Sequence, residues 1–447
     1  MITYNKYLAK LQHPVVALQF IQLARFSTLF LISIAFAKSN YTVNDIGLYE
    51  KFIYFAGALS FFWTNGLIQA LLGQYHKLKS KNEQARYLFN NVILAATFSV
   101  LIFLIVLSFE KPLSLFFINN EAIPYKFIFL SYLLLSPLTY FIEYIYLLNN
   151  KLSSIYFYGI VSYFIQLLVI IVPAFILNDL VYSLEGLILI TLLRLIWLFK
   201  TLLKYSIFSL SIYQIKHALK LARPLILGAF IAGSIPYVDG VIVAMHFDDS
   251  IFAIYRYGAR ELPISVLLAS AFSNAMIPIL NTSHNIIPGI KQLKRQALQL
   301  MHVLFPLSIV LMITSFYLFK YIFNPKFIDS APIFNIMLLL VIPRMVFPQT
   351  ILMAKAQNKY LLWASIIEFL TKLIFSFILL SYFSIKGIAL ATVIAFTIEK
   401  IILMFFVYKK DRLLPHHYTH MSWFIFYSLL TITTYICIEQ IFPLKNF

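Results

Sequence analysis

The sequence predicts an all-α integral membrane protein built as two six-helix bundles in parallel repeat, with an extra C-terminal helix. Three observations predict it. The 447 residues are 61% hydrophobic and only 12% charged, with a mean hydropathy of +0.86, whereas charged residues make up about a quarter of an ordinary soluble domain. The apolar residues fall into runs long enough to cross a bilayer. Related phrases recur about two hundred residues apart.

A spanning helix needs about 20 apolar residues, and irregular backbone is not tolerated against lipid. Runs of this kind place helices, in order, near 15–37, 52–72, 88–108, 127–148, 155–177 and 186–203, then near 224–247, 262–280, 297–319, 333–353, 361–383 and 387–408. The first run follows a polar, basic segment (Asn5, Lys6, Lys10) and is full length, so it reads as a span and not as a cleavable signal. A thirteenth run occupies 421–442. No connection is long enough to hold a soluble domain. The organisation read from these runs is an N-terminal bundle, 1–203, a basic linker, 204–223, and a C-terminal bundle, 224–410. A loop and the extra helix follow at 411–447.

The loops set the orientation. One alternating set carries 20 Lys and Arg against two acids, Glu83 and Asp411; the other holds ten basic residues and ten acids. By the positive-inside rule the first set, and with it the N-terminus, is cytoplasmic. The same bias explains the formal net charge of +18 without nucleic acid as a partner.

The repeat is legible in several places. NDIGLYEKFIYF (Asn44 to Phe55) is matched by DDSIFAIYRYGARELP (Asp248 to Pro263). In both, an acid (Asp45, Asp249) precedes a small residue (Gly47, Ala253), a Tyr (Tyr49, Tyr255) and a charge (Glu50, Arg256). Pro124 and Pro332, Asn150-Lys151 and Asn358-Lys359, and Gly186 and Gly387 recur in the same order. Six helices per half is an even number, so the halves run the same way. Transporters built from repeats bind substrate near the midplane at the repeat interface, which directs the search for function to the region between the halves.

Enzyme signatures are largely missing: there is no glycine-rich phosphate loop, HExxH or GxSxG. Cys437 is the single cysteine, and His416, His417 and His420 read as a solvated basic loop and not as a metal site. No cofactor is expected. Charges at membrane depth are costly and usually face a partner or an aqueous cavity. They are Arg25, Glu143, Arg194, Asp239, Arg344, Glu368 with Lys372, and Glu399 with Lys400. A structural reading pairs Glu368 with Lys372 one turn on and Arg25 with Asp239 across the halves. A functional reading makes Arg25, Arg194, Asp239, Asn274, Arg344 and Lys372 cavity residues. Guanidinium groups hold phosphate oxygens in two-point geometry, which suits an anionic, phosphate-bearing substrate, and Asp239 is the candidate for H+ or Na+ coupling. The outer-face motif, Tyr49, Tyr255, Arg256, Arg260 and Glu261, reads as gating or helix-end structure or as a contact for an arriving sugar or pyrophosphate, its tyrosines as membrane-interface anchors. Asn274, with Ser273 before Pro278, either lines the cavity or bonds between helices.

The two six-helix halves, the phrases around GLYEKF and FAIYRYGARELP, and the GIALAT segment of the twelfth helix resemble a known family. It is the polysaccharide-flippase branch of the MATE-like multidrug/oligosaccharidyl-lipid/polysaccharide exporter superfamily, most similar to the Wzx-type O-antigen and capsule translocases. The resemblance covers roughly residues 10 to 410. It implies a V-shaped pair of bundles alternating between inward- and outward-open states in a bacterial inner membrane. The implied substrate is an undecaprenyl-pyrophosphate-linked oligosaccharide, and a polysaccharide polymerase is the implied partner. Cationic residues line the central cavity in that family, and Arg25 resembles the arginine often seen in its first helix. The thirteenth run departs from a twelve-helix plan and either spans or lies along the interface. The competing readings are a cation-coupled multidrug exporter of the same fold and a membrane-embedded polysaccharide polymerase or acyltransferase.

Overall fold

The computed structural model describes residues 14–118, 122–260, 263–281 and 287–441. They form helices separated by short connections, in two compact units: one runs through Ser234 and includes Phe247–Ser250, the other takes Ile235–His246 and the chain from Ile251 onward.

The first unit contains α1 (Pro14–Lys38), α2 (Val43–Tyr75), α3 (Lys81–Ser108), the short α4 (Glu110–Ile118), α5 (Lys126–Thr139), α6 (Phe141–Leu148), α7 (Leu152–Ile176) and α8 (Leu180–Tyr205). Polar caps mark where helices begin. Thr42 accepts the Asp45 amide at 3.1 Å while the Asp45 carboxylate accepts the Thr42 amide at 2.9 Å, a reciprocal box that closes two orphan donors of α2. Ser80 and Asp179 cap α3 and α8 in the same sense. The fourth predicted span holds α5 and α6, which meet at Tyr140 with helical backbone (φ −65°, ψ −21°) and together make one apolar span, Lys126–Leu148. The span ends at Asn150, whose φ of 55° is the left-handed conformation that asparagine tolerates better than most residues. Trp63, Leu67, Leu71, Tyr87, Phe141 and Ile145 form the buried core.

Helix α9 (Ile212–His246) begins inside the segment read as the linker and continues without a break, its residues to Ser234 packing in the first unit. The chain then builds α10 (Asp249–Gly258), whose first two residues belong to the first unit, and the second unit continues with α11 (Pro263–Asn281), α12 (Ile287–Leu318), α13 (Ser330–Leu338), α14 (Val341–Arg344), α15 (Pro348–Ala354), α16 (Asn358–Asp411), α17 (Pro415–Tyr418) and α18 (Met421–Ile441). The tenth predicted span is broken: α13 and α14 meet α15 at a 49° bend, at Pro343 and Pro348. The 54 residues of α16 would extend about 80 Å as one rod, far beyond a hydrocarbon core of about 30 Å. The chain instead turns at Ser384 (φ 51°, ψ −137°), separating the two runs expected at 361–383 and 387–408. A Cβ on Gly387 would lie 2.1 Å from the Leu379 carbonyl oxygen, so the reversal needs glycine there. Its repeat partner Gly186 stands 2.1 Å by the same measure from the Val169 carbonyl.

Among the described residues ten helices are long and apolar enough to cross a membrane, or eleven with the bent pair as one span. Two of the thirteen expected runs fall within α16, and the run at 262–280 forms the shorter α11. Helix α18 rests on α12, where Phe305 and Tyr427 stack at 5.2 Å and Tyr427 bonds His302 at 2.8 Å, and on α16 through a Lys386–Glu439 ion pair. Met276, Leu293, Met301, Phe305, Met345 and Leu403 lie at the second unit's core. The protein is a multi-pass membrane protein of all-helical fold.

Candidate functional site

In the first unit the site forms between α6 and α1. Glu143 lies in the first turn of α6, nearly sealed at 4% exposure, across from Arg25 on α1. Arg25 Nη2 lies 3.1 Å from Glu143 Oε2, and Arg25 Nε donates to the Tyr163 hydroxyl on α7 at 2.8 Å. The same guanidinium sits over the Tyr140 ring at 4.6 Å, a face-on approach that adds cation–π attraction. Arg194 on α8 approaches from the other side. Its Nε donates to Ser162 Oγ at 2.6 Å and its Nη2 to Gln166 Oε1 at 2.7 Å, while its charge lies 4.8 Å from the centre of the Tyr163 ring. Ser162 and Gln166 are one helical turn apart and therefore share a face of α7.

Arg25, Arg194, Tyr140, Tyr163 and Gln166 line a cleft of about 80 Å³ together with Tyr132, Tyr158 and Thr191. At about 10–15 Å³ of such space per water it holds several waters, or one group the size of a phosphate. Two guanidiniums against one carboxylate leave it a net positive charge, and four tyrosines supply ring faces and hydroxyls.

In the second unit Asp239 on α9 is 6% exposed, and Lys372 on α16 is 2% exposed. Lys372 Nζ is 3.0 Å from Asp239 Oδ1 and donates to the Ile235 carbonyl at 2.9 Å; Thr392 donates to Asp239 Oδ2 at 2.8 Å. The pairing expected from spacing, Lys372 with Glu368, is replaced by a tertiary pair. The pairing of Arg25 with Asp239 is replaced as well, since each charge meets a partner inside its own unit.

Arg344, at the end of α14, donates from Nη1 to Ser265 Oγ at 3.2 Å and lies 5.7 Å from the Phe396 ring centre. Arg260 packs over Tyr257 at 5.0 Å. Although the sequence separated them into outer-face and mid-membrane residues, Arg260 and Arg344 line one water-sized cleft of about 10 Å³ with Ser265 and Ser308. Lys400 contacts Glu399 at 3.1 Å and Gln349 at 3.3 Å. Ser273 bonds Thr350 at 2.6 Å, and its neighbour Asn274 is exposed on another side of α11.

The tyrosines of the outer-face motif are core residues and not lipid-interface anchors. Tyr49 and Tyr255 are 2% and 1% exposed, and Tyr257 stacks on Phe327 at 4.4 Å. Arg256 is half-buried, and Glu261 lies outside the described residues. Residues 247–250 are held in the first unit by a buried ion pair, Lys51 Nζ to Asp249 Oδ1 at 2.5 Å. A Cβ on Gly47 would lie 1.8 Å from the Asp249 carbonyl oxygen, which explains the small residue in the repeated phrase. Lys51 carried no signal in the sequence beyond its charge. Tyr140, Tyr163 and Gln166 were hidden among the chain's 29 tyrosines and many polar helix residues.

Among the described residues no group of three or more His, Cys, Asp or Glu is placed to hold a metal. In the histidine loop Lys294 Nζ donates to the His416 carbonyl at 2.7 Å. Partial burial, then the charges of Lys294 and His302, hold the His420 pKa below its ordinary value, so it is neutral near pH 7.

Comparison with known proteins adds to this geometry. The fold is similar to that of the lipid II flippase MurJ in an inward closed conformation, at 17% identity with a TM-score of 0.73, covering 97% of this chain and 94% of that one. It is also similar to a multidrug resistance MATE family transporter of the MOP superfamily. The inward-facing form matches at 14% identity and TM-score 0.62 (90% and 98% covered), the outward-facing form at 15% and 0.55 (90% and 96%). No curated protein matches the sequence. A family profile described as polysaccharide biosynthesis protein matches residues 41–332, well over half of the 447. The chain belongs to the polysaccharide biosynthesis protein family.

Proposed function

We propose that this protein flips a polyprenyl-pyrophosphate-linked oligosaccharide, of the undecaprenyl type, from the cytoplasmic to the outer leaflet of a bacterial inner membrane by alternating access. The product would feed O-antigen, capsule or exopolysaccharide assembly, with a polysaccharide polymerase as downstream partner. The N-terminus lies on the cytoplasmic side in this reading, in line with the basic loops.

The observation that carries the reading is the Arg25–Tyr163–Arg194 cluster within a member of a polysaccharide biosynthesis family. Each sugar hydroxyl or phosphate moved through hydrocarbon without a partner costs several kcal/mol, so a flippase has to replace hydration along the path. Fixed guanidiniums do this for phosphate oxygens, and tyrosines do it for sugar faces and hydroxyls. The cleft accommodates a phosphate-sized portion of such a head group, which assigns Arg25 and Arg194 to the anionic part of the substrate. Arg260, Arg344 and Asn274 are proposed as further contacts. The gradient is read at Asp239: a coupling H+ or Na+ arriving there has to displace Lys372 from Oδ1.

The fold is shared with multidrug transporters, so drug export is the second reading. Purified protein in liposomes with a short undecaprenyl-pyrophosphate-linked sugar separates the two. The proposal expects the sugar lipid to become accessible to an outer-leaflet probe, with no transport of a cationic dye. Dye transport alone would replace it with the exporter reading, and neither activity would remove both.

A further inference from the structure

The loop-to-helix segment before the main part of α9 has no role in the transport reading, and its composition is unusual. Between Glu185 and Asp239 the chain contains no acid, but it carries Arg194, Lys200, Lys204, Lys216, Lys220 and Arg223. The last three are exposed and recur at the i, i+4, i+7 spacing that puts them on one face of α9. Apolar side chains flank them on both sides. Ile212 is 66% exposed and Tyr213 79% exposed before the cations; Leu227 is 64% exposed after them.

The geometry shows where this face lies. Residues 224–246 alone give 23 helical residues, about 34 Å at 1.5 Å each, enough to cross a core of about 30 Å. Residues 212–223 are therefore surplus to the crossing by roughly 18 Å. They do not project into water, because their start is tied down to α3. The buried Asn90 donates to the Ser209 carbonyl and to Gln214 Oε1, both at 3.0 Å, and accepts the Ser211 amide at 2.8 Å. Phe208 packs on Phe89 at 4.8 Å. Asn90 and Phe89 stand at the start of the apolar run of α3. The first three turns of α9, continuous with the crossing part of the helix, thus form its basic end beside that apolar run, with cations within reach of lipid head groups.

We propose that Lys216, Lys220 and Arg223 form a binding site for the phosphate head groups of anionic phospholipids in the leaflet on the basic side of the membrane. The site is separate from the cleft at Arg25 and does not depend on which substrate is transported. Each cation held at an anionic membrane surface contributes roughly a fivefold gain in affinity, so the three together amount to roughly a hundredfold. The basic turn at Lys77, Lys79 and Lys81 carries similar charge without exposed apolar flanks and serves as the comparison.

The test uses the full chain with Tyr213→Trp in phosphatidylcholine nanodiscs, with the parent protein's four native tryptophans as background. Brominated phosphatidylglycerol or brominated phosphatidylcholine is added at equal mole fraction. The added emission should be quenched severalfold more by the anionic lipid, and the preference should vanish in 1 M salt, where the screening length is about 3 Å. Combining Lys216→Gln, Lys220→Gln and Arg223→Gln should make the two lipids equivalent, while Lys77→Gln, Lys79→Gln and Lys81→Gln should leave the preference intact. Equal quenching in the charge-intact protein would overturn the proposal, as would a preference that survives the first triple substitution or disappears with the second.

Discussion

Arg25 and Glu143, 118 residues apart, form an ion pair at 3.1 Å in which the carboxylate is buried and the guanidinium is still partly open to the cleft. The pair holds Arg25 by one edge while Nε bonds Tyr163. A charge held in this way is oriented before substrate arrives, which is what a transport site needs from a long, flexible side chain.

Arg25→Ala is expected to lower the initial rate of sugar-lipid flipping at least tenfold in proteoliposomes, normalised to inserted protein. Arg25→Lys should recover only part of it, because an ammonium keeps the charge and loses the planar two-point geometry. Wild-type rates for both variants would remove Arg25 from the substrate path. Arg194→Lys should behave similarly, since Ser162 and Gln166 are spaced for separate guanidinium nitrogens.

Glu143→Gln leaves the Arg25 charge without its counter-ion at a nearly sealed position. Loss of a hydrogen bond to a charged group costs about 2 kcal/mol, which should appear as a lower melting temperature in detergent. The double variant with Arg25→Gln should lose less than the sum of the two single changes, the signature of a direct interaction in a double-mutant cycle. Additive losses would show that the two side chains act independently.

Asp239→Asn tests two ideas at one residue. As half of a buried ion pair with Lys372, its loss should destabilise the protein by about 3 kcal/mol or more, and Lys372→Met in the same chain should restore part of that. As the proposed coupling group, its loss should make flipping insensitive to an imposed H+ or Na+ gradient. A restored double variant that still responds to the gradient would leave Asp239 a structural role alone.

Gly387→Ala should sharply reduce the yield of monodisperse protein. A Cβ at 2.1 Å from the Leu379 carbonyl oxygen forces two backbone segments apart. Ser384→Gly is expected to act in the opposite direction, stabilising the protein by on the order of 1 kcal/mol and raising its melting temperature, because a φ of 51° costs a serine what it does not cost a glycine. Equal melting temperatures for Ser384→Gly and wild type would mean that no strain resides at that turn.

The sequence by itself determined the fold class and the approximate placement of most of the helices. In lipid each spanning segment has to satisfy its own backbone hydrogen bonds, so the information is local and appears as apolar runs bounded by Thr42, Ser80, Asp179 and the turn at Asn150. Charges at membrane depth were equally visible, because a costly residue stands out against an apolar background. Tertiary structure decided their partners. Lys372 has Glu368 one turn away in sequence, yet it meets Asp239 on another helix. Arg25 meets Glu143 on another helix, 118 residues further along the chain. Tyr49 and Tyr255, which composition alone places at the membrane surface, are core residues because neighbouring helices cover them. Helix formation in a membrane depends on residues close in the chain, whereas ion pairing and burial depend on which helix faces come together, and no single segment encodes that.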